Sequence, residues 1–347
     1  MRRLVVPLVV ALVTGVVLGQ EKPPELPAIA PASAKLARTV EGLTSPGTSI
    51  AFADGKGVVV AGCEDGSLRL WTREEGKELL ADAKMQTVKG HRETVTSVAA
   101  AGGVVASGSM DGKLLVWSLP ADKPTHTLST GAAVRAVALS ADGKQLASGG
   151  DDNAVQLWDP ATGKQVAKLT GPTDWVLAVA FSPDGKLVAA GGHDGRLWLW
   201  ETESGKKLFD VAVQLPGAAK DAPAVVVYSL AFSPDSKKVA VGGSDARIHE
   251  YEAAGAGKHL RGHQGHTSTV TGLAYHPGGN VLISSSKDRT LRLWNLQSGG
   301  TYKTLEGHTA WVQGVALVEK GTLALSVSAD RTVRVWDLGA TAAKGKK

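Results

Sequence analysis

From about residue 35 onward, apolar residues alternate with polar or small ones in short runs. Leu177-Ala178-Val179-Ala180-Phe181 and Thr290-Leu291-Arg292-Leu293-Trp294 show the period of two that marks a half-buried strand. Seven such runs end in a large aromatic residue: Trp71, Trp117, Trp158, Trp200, Tyr251, Trp294 and Trp336. Their spacings are 46, 41, 42, 51, 43 and 42 residues. Six positions before each aromatic stands an Asp: Asp65, Asp111, Asp152, Asp194, Asp245, Asp288 and Asp330. Gly, Asn, Ala or Arg follows it, so a tight turn opens each run. Other turns recur with the same period. Ser140-Ala141-Asp142-Gly143, Ser182-Pro183-Asp184-Gly185 and Ser233-Pro234-Asp235-Ser236 precede the Asp, and Ala161-Thr162-Gly163-Lys164 follows the aromatic. Each repeat reads as four strands and three turns. One sheet of that size cannot bury both faces alone, but seven packed radially can, leaving only short edges.

These residues resemble the WD-repeat family of β-propellers over residues 35–338, with a period in the family's range of roughly 40–45. The resemblance implies an all-β, seven-bladed propeller of four-stranded antiparallel blades. Only a tail follows Trp336, so the last repeat lacks its fourth strand. Arg38-Thr39-Val40-Glu41-Gly42-Leu43 matches Lys303-Thr304-Leu305-Glu306-Gly307-His308, which places residues 35–42 on the C-terminal blade. Such a join closes the ring and leaves no open edge. The fifth repeat, with Tyr251 for Trp and Ala246 after its Asp, is expected to be the loosest.

The family also carries a His–Ser/Thr–Asp–Trp hydrogen-bond network. Three repeats match it in full: His91, Ser107, Asp111, Trp117; His266, Ser284, Asp288, Trp294; and His308, Ser326, Asp330, Trp336. Thr130 stands in the His place of the third repeat, with Ser148. Elsewhere both partners are lost together, as Leu43 with Ala61, Pro172 with Ala190 and Pro223 with Val241. Paired loss fits a structural role, because a buried hydroxyl left alone costs about 1–3 kcal/mol. A hydrolase triad would have to occur three times, each with a Trp and without a nucleophile turn. Of the remaining histidines, His126, His193, His249, His263 and His276 lack metal-ligand spacing and read as loop or surface residues. Cys63 reads as a small buried strand residue. No metal or cofactor site is expected.

By the same resemblance, loops carrying the His and the Asp share the top face of the propeller, where partners bind. Positions three and five after the His slot point into it. The first series is Thr94, Ala133, Trp175, Val226, Thr269 and Trp311; the second is Thr96, Arg135, Leu177, Tyr228, Thr271 and Gln313. The residue before each turn Asp joins them: Glu64, Met110, Asp151, His193, Ser244, Lys287 and Ala329. Trp, Tyr and Arg are the residue types that dominate binding interfaces. The extra length of the fifth repeat, near Gln214–Ala222, is expected to extend over this face. Trp198 shares a strand face with Trp200 and is expected to pack between blades.

Charge and composition narrow the partner. The formal net charge of +5 comes from Arg2, Arg3, Lys344, Lys346 and Lys347, so residues 20–343 are balanced. That gives no support for nucleic-acid binding. A single Cys excludes an internal disulfide and a multi-Cys zinc site. Arg2 and Arg3 followed by the apolar Leu4–Gly19 read as a signal peptide, with cleavage before Gln20. An uncleaved membrane anchor is the alternative, although 16 residues are fewer than the roughly 20 a spanning helix needs. Residues 20–34 read as an extended Pro/Ala-rich spacer and 339–347 as a basic tail. The expectation is a secreted or periplasmic monomer, not inserted in the membrane once cleaved. It would be a non-catalytic scaffold binding a protein or peptide on its top face. The alternative is an exported enzyme or small-ligand binder using the central channel.

Overall fold

The computed structural model describes residues 29–53, 56–73, 77–81, 84–118, 123–217 and 223–339. The apolar N-terminal run therefore lies outside the described residues, as do residues 218–222 and the tail beyond Gly339.

Seven four-stranded antiparallel sheets form the described fold. Blade 1 runs through Gly47–Ala53, Val58–Cys63, Ser67–Thr72 and Met85–Lys89. Blades 2 to 6 repeat the pattern with first strands at Val95–Ala101, Val134–Leu139, Val176–Phe181, Val227–Phe232 and Val270–Tyr275. Blade 7 takes three strands from the C-terminal end, Val312–Val318, Leu323–Ser328 and Val333–Asp337, and its fourth from Lys35–Val40. Leu36 pairs with Trp336 and Val40 with Val333, so the closure expected from sequence is formed. First strands pack against one another in series, and the last of them returns to blade 1, which makes the ring.

The repeated aromatic explains the packing. Trp71, Trp117, Trp200, Tyr251, Trp294 and Trp336 are fully buried, and Trp158 nearly so. Between blades 1 to 5 and their successors the sheets meet at glycine. A side chain at Gly62, Gly108, Gly149, Gly191 or Gly242 would collide with Val95, Val134, Val176, Val227 or Val270 of the next blade. Blade 5 pairs its four strands with the same register shifts that blades 3 and 4 show, here at Val227/Ser229 and Glu250/Tyr251, and Tyr251 is buried, so the expected looseness does not show in its strands. Its Tyr hydroxyl accepts a hydrogen bond from the Gln214 amide at 3.3 Å. This bond fastens the described start of the long loop to its own blade. Residues 29–34, placed in the extended spacer by sequence, also pack down: Ala34 is buried with Trp336 and Leu338, and the Ala30 amide donates to Gly339.

The residue after each turn Asp has a positive φ in all seven blades: Gly66, Gly112, Asn153, Gly195, Ala246, Arg289 and Arg331. Ala246 sits at 63° with a Cβ that the left-handed region disfavours by about 1–2 kcal/mol. Ala246→Gly is therefore expected to stabilise the fold by about 1 kcal/mol, part of the gain being offset by unfolded-state entropy. A denaturant melt reads this directly, and an unchanged or lower midpoint contradicts it.

Candidate functional site

Successive antiparallel strands put the loop entering each blade and the turn carrying its Asp at one end, the top. A hydrogen bond joins the two in every blade. The amides of Glu64, Met110, Asp151, His193, Ser244, Lys287 and Ala329 donate to the carbonyls of Pro46, Thr94, Ala133, Trp175, Val226, Thr269 and Trp311 at 2.9–3.1 Å. Two series of positions read separately in the sequence thus form one continuous rim.

Large side chains on this rim fall into two clusters. In the first, the Arg135 guanidinium lies 4.7 Å from the Trp175 ring centre and pairs in a two-point manner with Asp151, at 2.6 and 2.8 Å. His193 also meets Trp175, edge to face, with ring centres 5.3 Å apart. In the second, the Lys287 ammonium lies 5.2 Å from Tyr228 and 5.0 Å from Trp311, bridging three blades. Trp175 is 40% exposed and Trp311 53%, unusual for Trp outside an interface. Met110 is also exposed, and Gln313 and Thr269 are half-buried beside them.

The threonines divide. Thr96 donates to Val134 O at 2.6 Å and Thr271 to Val312 O at 2.6 Å, each reaching into the next blade. Thr48 makes the same bond to Val95 O, at 2.5 Å. These hydroxyls staple the ring. Thr94 donates to Glu64 O at 3.2 Å, also across a blade boundary.

The three full tetrads are hydrogen-bonded chains. In blade 7, Trp336 Nε1 donates to Ser326 Oγ (2.8 Å), which lies 2.7 Å from His308 Nε2, and His308 Nδ1 is 2.7 Å from Asp330. Blade 6 has 2.8, 2.7 and 2.7 Å for the same contacts, and blade 2 has 3.1, 2.8 and 3.2 Å. These contacts fit a neutral ring protonated on Nδ1, with Ser donating to Nε2. The Asp in turn accepts the amide of the residue after the His: Arg92, Thr267 or Thr309. It thereby ties the entering loop to its turn.

Where the His is missing, the fourth residue after the Asp takes its place as donor. Arg69 bonds Asp65 at 3.0 Å, Gln156 bonds Asp152 at 2.9 Å, Trp198 bonds Asp194 at 2.9 Å and His249 bonds Asp245 at 3.0 Å. Trp198 is buried in a cluster shared by blades 3 and 4, as expected, and also stacks on Trp200 with ring centres 5.9 Å apart. Two expectations fail here. Thr130 does not complete the third tetrad. Its hydroxyl turns to Gly112 O and Ala132 O because it is too short to reach Ser148, whose Oγ accepts only Trp158 Nε1. Nor are His249 and His263 loop or surface residues: both lie on strands and are buried, and His276, on the loop after Tyr275, is buried too. His263 Nε2 bonds Glu250 at 3.1 Å, and the same carboxylate accepts the Tyr275 hydroxyl at 2.8 Å. Other blades carry Leu or Val where Glu250 and His263 stand. The signal missed in the sequence was polar replacement at two normally aliphatic positions of one repeat.

Seven segments match the family described as WD domain, G-beta repeat: residues 39–72, 83–118, 122–159, 163–201, 216–251, 257–295 and 299–337. The chain belongs to this family. Among relatives, it is 29% identical over 274 residues to the nuclear distribution protein nudF of Aspergillus niger, covering 77% of this chain and 53% of that one. It is 34% identical over 293 residues to the nuclear distribution protein PAC1 of Gibberella zeae, covering 76% and 62%. To the serine-threonine kinase receptor-associated protein of Mus musculus it is 27% identical over 241 residues, covering 69% and 63%. The WD-repeat chain spans about half the length of the first of these relatives.

The nuclear distribution relatives overturn the secreted or periplasmic location expected from the apolar N-terminus. That expectation rested on one hydrophobic run. The WD repeats themselves carry no paired cysteines to mark an oxidising compartment. Cys63 is buried, and burial pushes its thiol up to about 11. Among the described residues, no helix is long and apolar enough to cross a membrane, and no three metal-ligating side chains converge. The serines of the WD tetrads have no exposed surface, so no substrate reaches their hydroxyls.

The tetrads also set a pH dependence. Burial holds the His91 and His308 rings below their ordinary 6.5, against the pull of Asp111 and Asp330. Burial alone would raise Asp111, Asp288 and Asp330, but hydrogen bonds from the His rings, from backbone amides and, for Asp288 and Asp330, from the Thr290 and Thr332 hydroxyls hold them below 3.8. In both cases the folded value is depressed. Stability is therefore full above the unfolded value and falls as protons bind the unfolded chain preferentially. Thermal melts are expected to be level above about pH 7, to drop below about 6.5 and to drop again below about 4. A melting temperature that rises between pH 7 and 5 contradicts this.

Proposed function

We propose that the chain is a non-catalytic protein-interaction scaffold, acting as a monomer without a cofactor, that binds a protein or peptide on the top face of the propeller. The observation that carries the reading is the pair of exposed tryptophans, Trp175 and Trp311, each held by a cation on a rim of fixed backbone. Tyr228, Arg135 and Gln313 share that rim, with Thr94 and Thr269 beside them. Thr96 and Thr271 serve by holding neighbouring blades together. Preorganised anchors lower the ordering cost of association, which is the main advantage of such a platform. Membership of the WD-repeat family and the names of the relatives agree with protein association.

Capture from a cytoplasmic extract tests the reading, with the full chain immobilised beside its Trp175→Ala/Trp311→Ala version. The parent is expected to retain a protein that the double variant loses, both remaining folded by circular dichroism. Retention of the same protein by both overturns the reading.

A further inference from the structure

The two halves of the rim differ in charge. On blades 3 and 4 the Arg135 cation is neutralised by Asp151. On blades 5 to 7 the Lys287 ammonium has two aromatic rings against it and, among the described residues, no carboxylate and no hydrogen bond. Its six equivalents are Glu64, Met110, Asp151, His193, Ser244 and Ala329, so no other repeat puts a lysine there. Arg289 and Arg331 stand exposed on the turns of blades 6 and 7, and neither guanidinium has a carboxylate partner among the described residues. The turn carboxylates beside them are already used, Asp288 by His266 and Thr290, Asp330 by His308 and Thr332. Asp245 on the blade 5 turn is likewise held, by His249 and Arg247, which leaves Glu306, on the loop entering blade 7, as the remaining described acidic group on the top of this sector. Glu64, Glu93 and Asp174 lie on blades 1, 2 and 4.

Resting on the top-face reading, we infer that the sector over blades 5 to 7 takes an acidic peptide segment: a carboxylate meets Lys287, and an apolar side chain covers Trp311. The two rings fix the ammonium without neutralising it, so its position is set before a carboxylate arrives and little side-chain entropy remains to be lost. Trp311 supplies the apolar contact beside that charge. Nucleic acid fits less well: three cations are few for a polyanion, and the body of the chain is charge-balanced.

Fluorescence anisotropy on the full chain tests this, with a labelled peptide of glutamates around a central leucine pair. The controls are its lysine counterpart and a labelled single-stranded oligonucleotide. The acidic probe is expected to bind more tightly than either control and to weaken with salt. Lys287→Glu should weaken it by about tenfold or more, Trp311→Ala should weaken it similarly, and Lys287→Arg should restore most of it. Equal binding of acidic and basic peptides, tighter binding of the oligonucleotide, or full binding by a folded Lys287→Glu overturns the inference. The top-face reading stands or falls separately, on whether Trp175→Ala/Trp311→Ala still captures a protein.

Discussion

Ser326→Ala is expected to destabilise the fold by about 2–5 kcal/mol, far more than a hydroxyl's share of burial. The hydroxyl is at once acceptor for Trp336 Nε1 and partner of His308 Nε2, and it is fully buried. Its loss strands two buried polar atoms, each costing about 1–3 kcal/mol. Adding His308→Leu removes one of them. The double variant is therefore expected to recover about 1–2 kcal/mol relative to strict additivity. Blade 1, where Leu43 faces Ala61, already lives with that combination. Urea melts of the two single variants and the double variant measure the coupling. Additive losses would mean that His308 and Ser326 do not act as a unit.

Removal of either exposed Trp acts on binding and not on folding. Trp175→Ala and Trp311→Ala are each expected to weaken the captured partner by about 2 kcal/mol or more, some 30-fold, because interface energy concentrates in a few large anchors. Each ring has much of its surface in solvent, so the melting temperature should barely move. Titration of each purified variant with the partner, beside a thermal melt, separates the two effects. A Trp311→Ala chain that binds like the parent would remove blade 7 from the interface. One that melts much earlier would return Trp311 to the packing between blades.

The architecture was legible because its signals are repeated. One Asp–aromatic pair is weak, but seven at near-constant spacing fix the blades, and the match of residues 38–43 to 303–308 fixes the closure. The tetrads were legible because the partners are lost together. The substitutes for the missing His were not, since Arg69, Gln156, Trp198 and His249 share a position and a task but no chemistry. His263 and Glu250 were hidden for a similar reason: alternation says that a position faces inward, not that a polar pair satisfies itself there. The rim positions came from the resemblance to the WD-repeat family. Which of them stay free did not, because the stapling bonds of Thr96 and Thr271 depend on where the next blade's carbonyl lies. Location was misread for a different reason: an apolar N-terminal run carries no information from the repeats.

Hydrogen exchange on the chain with and without its captured partner tests the top-face platform most directly. Slowed exchange is expected in the loops entering blades 4, 6 and 7, at 171–175, 265–269 and 306–311, and in the turn at 287–289. The opposite-end turns at 140–145, 182–186 and 233–237 should be unchanged. Protection confined to those opposite-end turns, with the tryptophan loops unaffected, would contradict a top-face interaction scaffold.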